Sequence, residues 1–256
     1  MVEALNAEGL EVIAYDHQSF GLSEGARPGE KGYFERFEEL VDDAVGMARK
    51  LATEGDMLPL FALGVSMGGC VAVRAAQREP TLFSRASGTG GGGVALVAPM
   101  LSLERAATRG LNRLLLPIGS LASAVAPTLP VAEGAAENKA HPLLPTQQDA
   151  DELCLPADAP TVARVANEYY TATQRAQEAM HVLIDTPLLT IHSPEDEATD
   201  PLGSHMLGER AGARVVTTNG GSHNLLTEPG KEAVHKQIAD WMACRAMVPR
   251  TAPRCA

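Results

Sequence analysis

The chain has 256 residues, 45% of them hydrophobic and only 4% aromatic, and a formal net charge of −11. That length suits one α/β domain carrying an insertion, with a core built from Ala, Leu and Val. The acidic balance and the lack of a basic patch exclude a nucleic-acid partner, and the hydrophobic content is that of an ordinary globular protein.

In chain order, the pattern predicts a helix over residues 2–8, stopped by Gly9, and a strand over 10–16. Residues 17–32 read as a loop. Phe34, Phe37, Leu40, Val41, Ala44, Ala48 and Leu51 recur at helical spacing, which predicts a core-facing helix over 33–54 ended by Gly55. An apolar strand over 58–63 runs into Gly64-Val65-Ser66-Met67-Gly68-Gly69, and 70–77 reads as a helix. A strand, a Gly-x-Ser-x-Gly turn and a helix are the setting of a nucleophile elbow, where the serine occupies a tight, strained turn and its neighbours two residues away must be small. Gly64 and Gly68 meet that demand, and Gly69 gives room for the helix to pack on the sheet. Ser66 is therefore the candidate nucleophile.

Residues 81–93 include Gly88-Thr89-Gly90-Gly91-Gly92-Gly93. A phosphate-cradling turn must follow a strand and open a helix, and this run precedes a strand instead, so it reads as a flexible surface loop. Residues 94–97 read as that strand, followed by Ala98-Pro99-Met100. Residues 101–185 abandon the regular alternation and read as a cap. Leu114 to Val131 carries no charge, but Pro117, Gly119, Pro127 and Pro130 break the apolar run over 111–131 into short pieces. The run is thus expected to line a greasy pocket and to touch a bilayer transiently rather than to span one. Residues 132–160 read as irregular and 161–180 as a helix closing the cap.

Residues 187–192 read as a buried strand and are followed by Glu195, Asp196, Glu197 and Asp200. Residues 202–210 read as a helix and 213–218 as a strand. Asn219-Gly220-Gly221-Ser222-His223-Asn224 forms a small-residue loop, and 230–242 a helix whose Ile238 and Trp241 pack on the sheet. A serine hydroxyl becomes nucleophilic when a base takes its proton and a third group orients that base. Serine, then an acid, then a histidine, each just beyond a strand, is the order used by α/β-hydrolases. Of the seven histidines, His223 has the position after the last strand. His192 is expected to pack at a strand end and His17 to line the pocket. His141, His181, His205 and His235 are expected to be surface or packing residues.

With these loops in place, the chain resembles the monoacylglycerol lipase-like group of α/β-hydrolases, the serine aminopeptidase S33 type. Ile191-His192 through Thr199-Asp200-Pro201 resembles the family's acid loop, apolar-His-Gly-x-x-Asp-x-x-Thr-Asp-Pro, with Ser193 in place of the glycine. The resemblance implies that Asp196 is the catalytic acid, with Glu195 and Asp200 as the competing carboxylates. Gly221-Ser222-His223 followed by a Leu-Leu pair resembles the histidine loop and implies His223 as base. The Met67 N–H is then one oxyanion donor. Asp16-His17-Gln18-Ser19-Phe20-Gly21-Leu22-Ser23-Glu24-Gly25 resembles the family's loop after its fourth strand, with Ser19 where a glycine is common.

The resemblance also implies three earlier strands and a His-Gly loop that supplies a second oxyanion donor. No His-Gly pair precedes Asp16 here. The fold expected is therefore an α/β-hydrolase type: a mostly parallel sheet flanked by helices, with an inserted helical cap and without family strands one to three. The strand at 10–16 either slides across to pair with 58–63 or leaves backbone groups unpaired. A hole with one donor loses about 3–4 kcal/mol of transition-state stabilisation. The sequence is then either a truncated form of an active hydrolase or a degraded relative.

The expected organisation is a hydrolase core over 1–100 and 186–245, the cap over 101–185, and a loose tail over 246–256. The expected function is cleavage of a carboxylic ester, a monoacylglycerol or similar lipid ester, through an acyl-enzyme and without metal or organic cofactor. The alternatives are a non-catalytic or impaired lipid-binding relative, or an acyltransferase or lysophospholipase on the same site. The four cysteines show no CxxC pair or metal spacing, and no signal peptide opens the chain; if Met1 is the true start, a cytoplasmic, reducing location is expected, with transient membrane-surface contact through the apolar cap.

Overall fold

The computed structural model describes residues 1–25, 31–54, 58–84, 91–105, 112–132, 150–156 and 159–247. Helix α1 (Val2–Ala7) is followed in chain order by α2 (Phe37–Glu54), strand β1 (Leu60–Val65), α3 (Met67–Arg78), the short α4 (Pro80–Phe83) and β2 (Gly91–Val97). Helix α5 (Asn112–Val125), strands β3 (Pro130–Ala132) and β4 (Thr161–Val162), α6 (Ala163–Glu178) and a 3₁₀ turn (Met180–Leu183) come next. The chain returns through β5 (Leu188–His192), α7 (Leu202–Ala211), β6 (Arg214–Thr217) and α8 (Lys231–Met247).

Four strands form one sheet in the order β1-β2-β5-β6, all parallel. Strand side chains alternate between its faces. Val94, Leu96 and Leu188 join the apolar cluster of α2, α3 and α7, whereas Ala95, Val97, Leu189 and Ile191 join that of α1 and α8. Ile238 and Trp241 of α8 are buried in the second cluster, as their spacing predicts. Every residue of β2 is buried, which explains why this central strand reads as a continuous apolar run. Strands β3 and β4 form a separate antiparallel pair.

Several expectations need correction. Residues 10–16 join no strand among the described residues. They neither slide across to β1 nor form a ladder of their own. Leu10 and Val12 lean on the α1/α8 cluster, while Ile13 and Tyr15 stand exposed. Apolar alternation alone does not make a strand when no neighbour takes its hydrogen bonds.

Helix α2 begins at Phe37, not at residue 33. The Ser19 hydroxyl takes the Tyr33 carbonyl, and the Glu168 carboxylate of α6 accepts the Phe37 N–H at 2.9 Å, which caps the helix from outside. The run Gly91-Gly92-Gly93 is the start of β2 and not a surface loop. A Cβ on Gly92 would lie 2.4 Å from the Phe61 ring, and one on Gly93 2.5 Å from the Pro187 carbonyl oxygen. The glycines let three layers approach.

Helix α5 runs unbroken across Pro117 and Gly119. The predicted helix over 161–180 starts at Ala163, because Thr161 and Val162 pair with β3. Helix α8 extends to Met247, into the predicted tail. The expected end of α2 at Gly55, the glycines at 88–90, His141, most of 132–160 and the rest of the tail lie outside the described residues.

Candidate active site

Ser66 stands between β1 and α3 with φ 51° and ψ −119°, a conformation that costs an L-residue about 1–3 kcal/mol. Backbone bonds hold it there. Its N–H donates to the Val97 carbonyl at 3.0 Å, and its own carbonyl accepts from Gly69, Cys70 and Met100 at 2.9, 3.3 and 2.9 Å. The close approach of turn and helix explains the small residues. A Cβ on Gly64 would sit 2.5 Å from the Gly68 carbonyl oxygen, and one on Gly69 2.7 Å from the Pro99 Cβ. A Cβ on Gly68 meets nothing within 4 Å. The steric demand thus falls on Gly64 and Gly69, not on the symmetric pair that the motif suggests.

The carboxyl ends of the parallel strands bring the other groups to Ser66. The His223 Nε2 lies 2.9 Å from the Ser66 Oγ, and its Nδ1 lies 2.8 Å from Asp196 Oδ2. A carboxylate can only accept, so Nδ1 carries the proton and Nε2 presents its lone pair to the hydroxyl. Of the competing acids, Glu195 is exposed, and Asp200 is turned to Arg105 at 3.4 Å and to the Leu202 N–H at 3.0 Å.

Asp196 is fully buried. Burial alone would push its carboxyl up, but hydrogen bonds from His192 and His223, the proximity of His223 and the Thr199 amide outweigh it and hold the group well below the usual carboxylate range. Oδ1 accepts the N–H groups of Ala198 and Thr199 at 2.8 and 3.0 Å. Oδ2 faces the Thr199 hydroxyl at 3.0 Å, His192 Nε2 at 3.1 Å and His223 Nδ1.

Four residues to which sequence reasoning gave no part in the site belong to this arrangement. His192 does more than fill a strand end, since its ring contacts Asp196 directly. Its signal was the spacing of four residues between the two. Thr199 reaches the same carboxylate through its amide and hydroxyl. Ser193, the departure from the family glycine, donates its hydroxyl to the Gly221 carbonyl at 2.8 Å and accepts the Glu195 N–H at 3.1 Å. Glu228, buried, accepts the N–H groups of Ser222 and Asn224 at 2.6 and 2.9 Å and the Ser222 hydroxyl, so it grips both sides of His223. Nothing in the sequence around Glu228 marks that role.

The Met67 N–H opens α3, where a first-turn amide has no intrahelical acceptor. His17 sits half-buried with its ring edge against Tyr15, 4.9 Å between centroids, and burial lowers its basicity against the opposing charges of Asp43 and Asp16. The cavity of about 650 Å³ next to it is lined by Tyr15, Asp16, Asp43 and Lys50 among others, and by neither His17 nor the three grouped residues. His181 and His205 are exposed, and His235 bonds the Leu226 carbonyl. Among the described residues no cluster of His, Cys, Asp or Glu is arranged to hold a metal ion, and no helix is long and apolar enough to cross a membrane. Cys70 and Cys154 are free, while Cys244 is disulfide-bonded.

Comparison with known proteins gives concordant results. The family described as serine aminopeptidase, S33, matches residues 1–230. The chain is 24% identical over 252 residues to a monoglyceride lipase homolog of Monkeypox virus, covering 94% of this chain and 82% of that protein. It is 25% identical over 264 residues to the monoglyceride lipase of Rattus norvegicus, covering 97% and 78%. In fold it is similar to a monoacylglycerol lipase of Paleococcus ferrophilus, with a TM-score of 0.75, 20% identity and coverage of 95% of this chain and 87% of the other. A soluble variant of the monoglyceride lipase of Saccharomyces cerevisiae, solved with a substrate analog, gives a TM-score of 0.75 at 17% identity, covering 96% and 81%.

Proposed function

Because the chain belongs to the serine aminopeptidase S33 family of α/β-hydrolases, we propose that it is a serine ester hydrolase acting on a monoacylglycerol or a similar lipid ester. The observation that carries this reading is the continuous contact from Ser66 through His223 to Asp196, at 2.9 and 2.8 Å, on a strained elbow. In this reading the Ser66 Oγ attacks the ester carbonyl carbon and its proton passes to His223 Nε2. Asp196 holds the imidazole tautomer and offsets the charge that develops on the ring. The Met67 N–H, at the positive end of α3, faces the oxyanion. His223 then gives the proton to the leaving alcohol. Water attacks the acyl-enzyme with the same histidine as base, which restores the serine and releases the acid.

The lipid substrate is supported by the names of the relatives and by an apolar surface. Leu121 and Val125 of α5, with Leu129 and Val131 beyond it, are exposed. The reading takes residues 101–185 as a cap whose greasy face guides an acyl chain, and membrane contact through that face is part of it.

A fluorophosphonate probe tests the nucleophile. Wild-type protein is expected to be labelled, Ser66→Ala to stay unlabelled, and His223→Ala to be labelled far more slowly. Turnover of a short-chain p-nitrophenyl ester and of a monoacylglycerol tests the whole site. Labelling without turnover points to an oxyanion hole too weak for catalysis. Absence of labelling in the wild type overturns the hydrolase reading in favour of a non-catalytic lipid-binding protein.

A further inference from the structure

Histidine 192 is a buried imidazole at the end of β5 that the proposed reaction does not use, and all of its polar atoms are engaged. It is 2% exposed, and Thr190, Ser204 and Asp196 are fully buried around it. A buried imidazole is costly unless both nitrogens are paired. Nε2 lies 3.1 Å from Asp196 Oδ2, Nδ1 lies 2.8 Å from the Ser204 Oγ, and that hydroxyl lies 2.9 Å from the Thr190 Oγ1.

The proton positions follow from the acceptor at the end of the chain. The ionised carboxylate accepts only, so Nε2 carries hydrogen. In the neutral ring Nδ1 then accepts from Ser204, and Ser204 in turn accepts from Thr190. Three donors thus point one after another toward Oδ2, the oxygen that also receives the His223 Nδ1–H. Thr190 and His192 alternate onto one side of β5, and α7 supplies Ser204 against them.

A terminal carboxylate turns easily about its last bond. The amides of Ala198 and Thr199 fix Oδ1, and only side chains meet Oδ2. We propose that His192, braced by Ser204 and Thr190, is a positioning residue that fixes Asp196 Oδ2 for His223. The proposal rests on the hydrolase reading above. His192 touches neither substrate nor nucleophile and acts through Asp196.

The test compares His192→Phe, which fills the space without a donor, with His192→Gln. The glutamine amide can donate to Asp196 while its oxygen accepts from Ser204. Fluorophosphonate labelling rate, and kcat and KM on a p-nitrophenyl ester, are measured per folded molecule. His192→Phe is expected to lower labelling rate and kcat about tenfold, the worth of one charge-assisted hydrogen bond, with KM within about twofold. His192→Gln is expected to return most of that loss.

A purely structural histidine would lower the melting temperature and leave the rate per folded molecule unchanged. That result, or a glutamine variant no better than phenylalanine, overturns the proposal. Should His192→Phe fail to fold, Ser204→Ala removes only the brace. A severalfold fall in labelling rate supports the proposal and an unchanged rate overturns it. An unlabelled wild type is a different outcome, the failure of the hydrolase reading itself.

Discussion

The Ser193 hydroxyl donates to the Gly221 carbonyl at 2.8 Å, so a single side chain joins the loop that carries Asp196 to the loop that carries His223. The same oxygen accepts the Glu195 N–H at 3.1 Å and is fully buried. The family pattern has glycine at this position, and here the serine adds a brace between the Asp196 loop and the His223 loop.

Replacing Ser193 with alanine removes both bonds at a buried place. The expected cost is about 1–3 kcal/mol of stability, because polar backbone is left without its partner. Chemical denaturation checks this, and a midpoint unchanged from wild type refutes it. Labelling by a fluorophosphonate should slow with it, since the two loops are then joined through one side-chain link fewer.

Glu228 grips the histidine loop through the amides on either side of His223. In Glu228→Gln one of the two accepting oxygens becomes an NH₂ group, which cannot accept an N–H. The chain should still fold, and the labelling rate of Ser66 should fall about tenfold or more as the imidazole loses its fixed place. A rate equal to wild type would show that the loop holds itself.

Acid should unfold the protein partly through Asp196. Its folded carboxyl titrates below its ordinary value because, despite burial, the bonds from His192, His223 and Thr199 favour the charged form. The unfolded state therefore binds the proton first. The stability gained from this group is present above about pH 4, the ordinary carboxylate value, and is lost as pH falls through the folded value. Asp196→Asn should flatten the acid limb of a stability-versus-pH curve. A limb as steep as wild type would assign the acid sensitivity elsewhere.

Gly93→Ala tests whether the glycine run is a packing feature. The backbone there has φ +124°, and an added Cβ would meet the Pro187 oxygen at 2.5 Å and the Trp241 ring at 2.9 Å. The expected loss is roughly 2–4 kcal/mol, from strain together with overpacking. A melting temperature within a degree of wild type would return the run to the status of a loose connection.

The sequence by itself determined the order of Ser66, Asp196 and His223 along the chain and the kind of turn that carries each. Gly64-Val65-Ser66-Met67-Gly68, the acid loop after an apolar strand and the histidine after the last strand are local patterns, each set by a turn or a strand end that a few neighbouring residues dictate. It also marked 187–192 as a buried strand, 94–97 as a strand, and Ile238 and Trp241 of α8 as residues that pack on the sheet. Only the tertiary structure decided what depends on neighbours distant along the chain. Residues 10–16 have the apolar pattern of a strand but pair with none among the described residues. Gly91–Gly93 are strand because they pair with Leu60 and Phe61 of β1, and Phe61, Pro187 and Trp241 leave no room for a side chain at 92 and 93. Glu168 starts α2 from across the fold, and the Ser193 hydroxyl finds the Gly221 carbonyl on a loop 28 residues further along the chain.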